Sequence, residues 1–198
     1  MSNPDALLHD FQSITEPLRL EELFVTPQPA ELEIGCGDGG FLLEHAQRHP
    51  ERNFLGVERL LGRVRKLSKN GQRVDLTNLR LLRIEARYVL DYLLPERAFS
   101  AAHIYFPDPW PKDKHARHRL IQPDFLPRIR RVLAPGGVLY LRTDDLPYFE
   151  QMQETFQGAD GFTEEPTPAA LSEISTEFER QWLAEGKQTH YAAYRLNG

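Results

Sequence analysis

The chain alternates short apolar runs with amphipathic stretches, and this alternation limits its fold more than any other feature. Runs with the length of buried strands occur at 31–35, 53–58, 79–85, 101–106, 138–142 and 189–196. Stretches with helical periodicity occur at 41–49, 60–71, 86–94, 123–133, 146–156 and 170–182. Such alternation builds βαβ units, so the sequence predicts an α/β, doubly wound domain with a mostly parallel sheet of about seven strands. Its 198 residues fit a single domain, 1–198, in which 1–30 form an N-terminal extension without an assigned role.

Charge is distributed unevenly along the chain. The net charge is −5, but residues 59–131 hold 17 basic and 7 acidic side chains, a local balance of +10. The flanking segments 1–58 and 132–198 have balances of −8 and −7. A basic middle between acidic ends is compatible with a localised phosphate-binding surface and also with solvated, arginine-rich helix faces.

Several classes of protein are disfavoured by the sequence. The one cysteine, Cys36, excludes an internal disulfide, and His45, His49 and His103 lack metal-ligand spacing, so we predict no metal. No apolar run approaches the roughly 18 residues of a membrane span. The first ten residues do not have the pattern of a secretory signal. We therefore expect a cytoplasmic protein without a membrane partner.

A glycine-rich turn, Gly-Cys-Gly-Asp-Gly-Gly at 35–40, follows the first predicted strand. Gly35 and Gly37 would permit a tight turn and a close approach of the backbone to a ligand. The turn fits both the dinucleotide-binding pattern and the methyltransferase pattern. Glu33 favours the second, because a carboxylate there would repel a pyrophosphate and attract the α-ammonium of S-adenosylmethionine. Alternatively, Glu31 and Glu33 share the polar face of an edge strand.

Two further acidic residues end the next two predicted strands. Glu58 lies about 20 residues after the glycines, where an acidic side chain binds ribose hydroxyls. Glu85 would reach the adenine region. Together with Glu33, these residues favour a nucleoside cofactor at the carboxyl edge of the sheet.

The fourth predicted strand leads into Pro107-Asp108-Pro109-Trp110-Pro111. Alternating prolines fix their own φ angles and favour extended conformations for the residues before them. The segment is thus predicted to be a stiff loop that presents one carboxylate and one indole, as a preorganised site requires. A proline-capped turn with Trp110 in the core is the structural alternative.

Here the chain resembles the bacterial tRNA (guanine-N7)-methyltransferase family. The resemblance rests on Phe106-Pro-Asp-Pro-Trp-Pro-Lys112 with the basic run through Arg119, and on Glu33-Ile-Gly35, Gly56-Val-Glu58, Thr143-Asp144 and Thr176-Glu-Phe-Glu179. It implies a Rossmann-like class I methyltransferase fold, with S-adenosyl-L-methionine as cofactor and tRNA as partner. The implied reaction is methylation of N7 of a variable-loop guanosine.

The resemblance also implies roles for individual residues. Glu33, Glu58 and Glu85, with Gly35 and Gly37, match cofactor-binding positions, and Asp108 matches a position of both the cofactor site and the active site. Substrate-binding positions are matched by Lys112, Asp144, Thr176, Glu177, Phe178 and Glu179. Glu177 replaces the usual lysine, and Asp113, Ala116 and His118 dilute the usual basic run, so we expect weaker contact with tRNA phosphates.

Guanine N7 carries a lone pair at neutral pH, so methylation there needs orientation rather than a strong base. We hypothesise that Asp108 accepts hydrogen bonds from the N1–H and N2 edge of guanine, and that Asp144, at the end of the fifth predicted strand, could share this role. Asp108 could instead mainly hold the cofactor. We expect Lys112, Lys114, His115, Arg117 and Arg119 to meet tRNA phosphates. The basic stretch that contains Arg59, Arg63, Arg65, Lys66 and Lys69 could extend that surface or form a solvated helix face.

Three alternatives share parts of this pattern. A nicotinamide dehydrogenase would use the same glycines, but Glu33 and the proline-rich loop fit it poorly. A methyltransferase with another substrate would keep the cofactor site without needing the basic loop. A homologue that binds tRNA or the cofactor with reduced catalysis is compatible with Glu177. The sequence does not predict an oligomeric state.

Overall fold

The computed structural model describes residues 6–176, 179 and 186–198, and for residue 113 only the backbone. Its strands are β1 (Ala30–Ile34), β2 (Asn53–Glu58), β3 (Leu79–Arg83), β4 (Phe99–Tyr105), β5 (Leu133–Thr143), β6 (Phe162–Glu165) and β7 (His190–Leu196). Its α-helices are α1 (Leu20–Leu23), α2 (Leu42–Arg48), α3 (Leu61–Arg73), α4 (Ala86–Tyr88), α5 (Phe125–Val132), α6 (Leu146–Phe156) and α7 (Ala169–Ser172). A π-helical turn, Val89–Leu93, continues α4, and a 3₁₀ segment spans Asp113–His118.

The described strands form one seven-stranded sheet in the order β3-β2-β1-β4-β5-β7-β6. Strands β1 to β5 are parallel, whereas β7 runs antiparallel to both β5 and β6. The strand order reverses between β1 and β4, which makes their carboxyl ends the topological switch point of the sheet. The predicted fold class is confirmed.

Apolar side chains cover both faces of the sheet. Successive residues of a strand point to opposite faces, so a strand with consecutive apolar residues contributes to both. On one face, Leu55 and Val57 of β2 belong to a cluster that includes Ile129 of α5 and Met152 of α6. On the other face, Phe54 packs in a cluster with buried residues of α2 and α3. With both faces covered, the carboxyl edge is where polar residues of the parallel strands reach solvent.

The N-terminal extension pairs with the edge strand β3 and then packs into the hydrophobic core. Leu81 of β3 donates its backbone N–H to Leu7 O, and His9 donates back to Leu81 O, each at 2.9 Å. Farther along, Leu23 and Phe24 are buried in the larger cluster. The described part of this segment therefore covers an otherwise exposed strand edge.

The structure differs from the predicted elements in four places. Strand β5 starts at Leu133 and passes through Pro135-Gly136-Gly137, whereas the predicted strand begins at residue 138; Gly136 has φ +75° and the pairing with β4 shifts register there. The helix predicted at 86–94 is π-helical in its second half. In the tail, helix α7 is only four residues long, and residues 177, 178 and 180–182 of the predicted helix lie outside the described residues. Strand β6 was not predicted, because Phe162–Glu165 is short and largely exposed.

Candidate active site

A cleft of about 1000 Å³ opens at the carboxyl ends of the parallel strands. Its floor is formed by residues that follow β1, β2 and β3, and its walls by the proline-rich loop after β4 and the segment after β5. This is the position that the reversal of strand order predicts for a ligand.

The glycine turn shapes one side of the cleft. Gly35, Gly37 and Gly39 have φ angles of +77°, +57° and +86°, a region that favours glycine. A Cβ on Gly39 would collide with the side chain of Leu67, so this glycine also lets α3 approach the turn. Lys66 of α3 donates to Asp38 at 2.6 Å and lowers the pKa of that carboxyl, against the opposing effect of partial burial.

Glu33 lies near the end of β1, with 3% of the residue exposed to solvent. Its Oε2 atom is buried and has no hydrogen-bond partner among the described residues. Burial raises the pKa of Glu33 to about 8, while the positive charge of Arg142 acts in the opposite direction. A buried carboxylate oxygen without a donor is costly, so this atom is suited to a cationic or donor group of a ligand.

Glu58 and Glu85 face the same cleft from β2 and from the turn after β3. Glu58 accepts hydrogen bonds from the backbone N–H groups of Gly37 at 3.2 Å and Leu60 at 2.7 Å, which fix its carboxylate next to the glycine turn. Glu85 is exposed and caps α4 by accepting from Tyr88 N at 2.9 Å. Each carboxylate oxygen has two lone pairs, so both side chains can accept further bonds from a ligand.

The proline-rich loop begins and ends in unusual backbone conformations. Phe106 and Trp110 have φ angles of +52° and +44°, which residues with a side chain rarely adopt. Phe106 N donates to Arg142 O at 2.8 Å, and Trp110 N donates to Asp108 Oδ1 at 3.3 Å. Asp108 is exposed at the cleft, so its carboxylate is presented to the space where a ligand would bind.

The opposite wall is formed by Asp144, Lys187 and Thr176. Asp144 follows β5, and its Oδ2 atom lies 3.3 Å from Lys187 Nζ. Thr176 forms a capping box with Glu179: Thr176 N donates to Glu179 Oε2 and Glu179 N donates to Thr176 Oγ1, both at 3.0 Å. Glu179 is buried and does not line the cleft, because its carboxylate faces Arg142 of β5.

Below the cleft, Glu31, His45 and His103 converge in the interior. The Nε2 atoms of His45 and His103 lie 3.0 and 2.9 Å from Glu31 Oε2, and Arg52 donates to the other carboxylate oxygen. Burial would raise the pKa of Glu31, but the bonds from the histidines outweigh it and hold the pKa well below its usual range. Sequence spacing did not reveal this convergence, since the residues come from β1, α2 and β4. Their ligand atoms lie within 4.8 Å of one another, and the absence of a metal stays a prediction.

Comparison with known proteins identifies the family. The family model described as "Putative methyltransferase" matches residues 27–192. A tRNA (guanine-N(7)-)-methyltransferase of Syntrophotalea carbinolica is 33% identical over 190 residues, which are 94% of this chain and 82% of that protein. The chain belongs to the tRNA (guanine-N7)-methyltransferase family. The enzyme of that name from Chromohalobacter salexigens is 41% identical over 75% of this chain and 61% of its own length.

The fold of this family member is also found in a solved methyltransferase. The crystal structure of the 16S rRNA methyltransferase KamB aligns with a TM-score of 0.64 at 15% identity, covering 90% of this chain and 93% of that one. At this identity the likeness concerns the fold alone. No helix in the described part of the chain is both long and apolar enough to cross a membrane.

The cleft brings together most of the residues that the family resemblance had selected. Lys112 lies next to the loop but does not line the cleft, and Glu179 lies behind it. Glu177 and Phe178 lie outside the described residues. The predicted site residues that line the cleft are Glu33, Gly35, Gly37, Glu58, Glu85, Asp108, Asp144 and Thr176.

Two residues of the site were missed at the sequence level. Arg142 is fully buried behind the cleft. Its position at the end of the apolar run Val-Leu-Tyr-Leu-Arg could have indicated a buried ion pair, because a buried charge needs partners. Lys187 reaches Asp144 from a segment that carries no motif, so nothing in the sequence pointed to it.

Proposed function

We propose that this chain transfers a methyl group from S-adenosyl-L-methionine to N7 of a variable-loop guanosine in tRNA. One observation carries the proposal: the unpartnered carboxylate oxygen of Glu33 and the exposed carboxylate of Asp108 line the same cleft, beside the glycine turn. The first is suited to a cationic amino-acid group, and the second to the hydrogen-bond donors of a base. Membership of the family supports this assignment of the reaction.

The residues that line the cleft fit the cofactor. Glu33 would accept from its α-ammonium group, and Gly35 and Gly37 would let the backbone approach it closely. Glu58 would accept from the ribose hydroxyls, as an acidic residue at the end of the second strand does in such folds, and Glu85 would face the base. When bound, S-adenosylmethionine supplies an electrophilic methyl group on a sulfonium.

Asp108 is the proposed catalytic residue. Its exposed carboxylate would accept hydrogen bonds from the N1–H and N2 amino group of guanine, which distinguishes guanine from adenine at this edge. N7 needs no prior deprotonation, so the chain has to orient the base and stabilise the positive charge that the product ring carries. Asp144 would add negative charge on the opposite wall, where Lys187 holds its side chain.

The proposed tRNA surface continues from the loop into the 3₁₀ segment. Lys112, Lys114 and Arg117 are exposed there, where cations would contact phosphates beside the target base. Lys187 of the opposite wall adds a further cation at the mouth of the cleft. Because the proposed substrate is tRNA, we also propose a cytoplasmic location.

The reaction is tested with methyl-labelled S-adenosylmethionine and bulk tRNA lacking 7-methylguanosine, followed by nucleoside analysis of the product. Label in 7-methylguanosine that is lost with Asp108→Asn supports the proposal. Label in another nucleoside, or label that the Asp108→Asn variant transfers at the normal rate, contradicts it. Label in added protein but not in tRNA would identify a methyltransferase with another substrate.

A further inference from the structure

Arg119 connects the proline-rich loop to helix α6. Its Nε atom donates to the carbonyl oxygen of Pro109 at 2.7 Å, and its Nη1 atom donates to Gln151 Oε1 on α6. The guanidinium lies over the ring of Tyr148, also on α6, with 4.9 Å between Cζ and the ring centroid. One planar group thus makes three contacts that differ in direction: one with the loop and two with the helix.

The helix side of this connection is itself fixed. Tyr148 is fully buried, and its hydroxyl accepts from Ile121 N at 3.0 Å. Gln151 donates through Nε2 to Ile121 O at 3.1 Å. The backbone of Arg119 is held as well, since its carbonyl accepts from Arg87 Nη2 at 2.8 Å. Arg119 therefore ties the loop to a rigid part of the fold.

The loop side needs such support. Pro109 lies directly between Asp108 and Trp110, and Trp110 has a φ of +44°. A residue with a side chain is strained in this region, and keeps such a conformation only where its surroundings fix it. The bond from Arg119 to Pro109 O fixes the Pro109–Trp110 peptide, whose N–H donates to Asp108 Oδ1, and so limits how that carboxylate can be displaced.

We propose that Arg119 is a positioning residue, which holds the Pro109–Trp110 peptide so that the Asp108 carboxylate meets the base in one orientation. This inference rests on the proposed function, and it gives Arg119 a different role from the phosphate contact expected from the sequence. Arg117, two residues earlier, is exposed and serves as the comparison for a phosphate-binding cation.

Arg119→Lys separates the two roles, because lysine keeps the charge but loses the planar group that bonds Pro109 and Gln151 while stacking on Tyr148. For a positioning role we expect kcat to fall about 10- to 100-fold, with the KM for tRNA changed less than about twofold. For Arg117→Ala we expect the opposite partition: the KM for tRNA rises and kcat is retained. A normal kcat in Arg119→Lys, together with a raised KM for tRNA in Arg119→Ala, would overturn the proposal.

A second measurement does not depend on catalysis. In a Trp182→Phe background, Trp110 is the only tryptophan, and its emission reports on the loop next to Pro109. We expect acrylamide to quench Trp110 more strongly in Arg119→Lys than in Arg117→Ala or the parent. Equal quenching in all three proteins would refute the positioning role. If the parent instead forms no 7-methylguanosine, the proposed reaction fails while the quenching result still decides whether Arg119 holds the loop.

Discussion

Arg142 and Glu179 form a buried ion pair behind the active-site cleft, with 3.1 Å between Nη1 and Oε2 and side chains only 0% and 2% exposed. Arg142 ends the apolar part of β5 two residues before Asp144, and its guanidinium lies 4.0 Å from the ring centroid of Tyr105. Glu179 belongs to the capping box that fixes Thr176 at the cleft. The pair therefore joins the central sheet to the tail segment that supplies one wall of the site.

Removal of one member of this pair should strongly destabilise the fold. Glu179→Gln leaves the Arg142 guanidinium buried without a counter-charge, and such a loss typically costs about 3–5 kcal/mol. We expect a lower urea midpoint for Glu179→Gln, measured by circular dichroism. The double variant Arg142→Met/Glu179→Gln also removes the buried positive charge, so it should lose less stability per substitution than Glu179→Gln alone. Arg19→Ala is the control, because it breaks the ion pair between Arg19 and Glu21, whose side chains are 65% and 62% exposed. Loss of such a surface pair should not shift the midpoint. An unchanged midpoint in Glu179→Gln would contradict the role given to the pair.

The parallel part of the fold could be predicted because its signals are local. The periodicities of 53–58 and 146–156 gave the limits of β2 and α6 without error. Helix α6 also has a local start signal, since Asp145 caps it by accepting from Tyr148 N at 2.8 Å. In contrast, β6 depends on pairing with β7, thirty residues away, and its own sequence is too polar to indicate a buried strand.

The site was predictable to the extent that its residues lie in motifs at strand ends. Glu33, Glu58 and Asp108 each lie near the carboxyl end of a parallel strand or in the loop after it, so the topology brings them together. The partners of Arg142 and Arg119 could not be predicted, because Glu179 and Gln151 are more than 30 residues away from them and carry no complementary pattern. The sequence identified which side chains line the cleft better than which side chains hold them in place.

Glu33→Gln should stabilise the ligand-free chain and weaken cofactor binding. Burial raises the pKa of Glu33 from 4.5 to about 8, so ionising it in the folded state costs free energy that a neutral amide does not. We expect a higher melting temperature for the variant at pH 8 than for the parent, and a clearly weaker Kd for S-adenosylhomocysteine by calorimetry. A variant that binds this ligand as tightly as the parent would contradict the role of Glu33.

The same carboxyl predicts a pH dependence. Between about pH 4.5 and pH 8 the folded chain keeps a proton on Glu33 that the unfolded chain releases, so this residue's contribution to the free energy of unfolding falls as pH rises through that window. Binding of an ammonium group requires the ionised form, and should therefore release a proton near pH 7. Calorimetry of S-adenosylhomocysteine in buffers of different ionisation enthalpy measures this release. Glu33→Gln, which cannot ionise, should show less release than the parent.

Asp108→Asn should abolish turnover with little effect on stability. Asp108 is exposed, so the amide replaces it without a buried charge or a cavity. The amide presents a donor where guanine also presents donors, and it lacks the negative charge that stabilises the methylated ring. We expect kcat to fall by about 100-fold or more, with an unchanged melting temperature. Single-turnover formation of 7-methylguanosine measures the effect, and a near-normal rate would sink the catalytic assignment.

Binding of tRNA should weaken steeply with added salt, because Lys114 and Arg117 would displace counterions from phosphates. Each of Lys114→Gln and Arg117→Gln should lower the slope of log K against log salt by about one unit. Arg97→Gln is the matched control: Arg97 is exposed and precedes β4, at the amino edge of the sheet and thus opposite the cleft. Arg97→Gln removes the same charge as the two loop substitutions. If it lowers the slope equally, net charge rather than the surface beside the loop governs binding. A slope unchanged in the two loop variants would place the tRNA contact elsewhere on the chain.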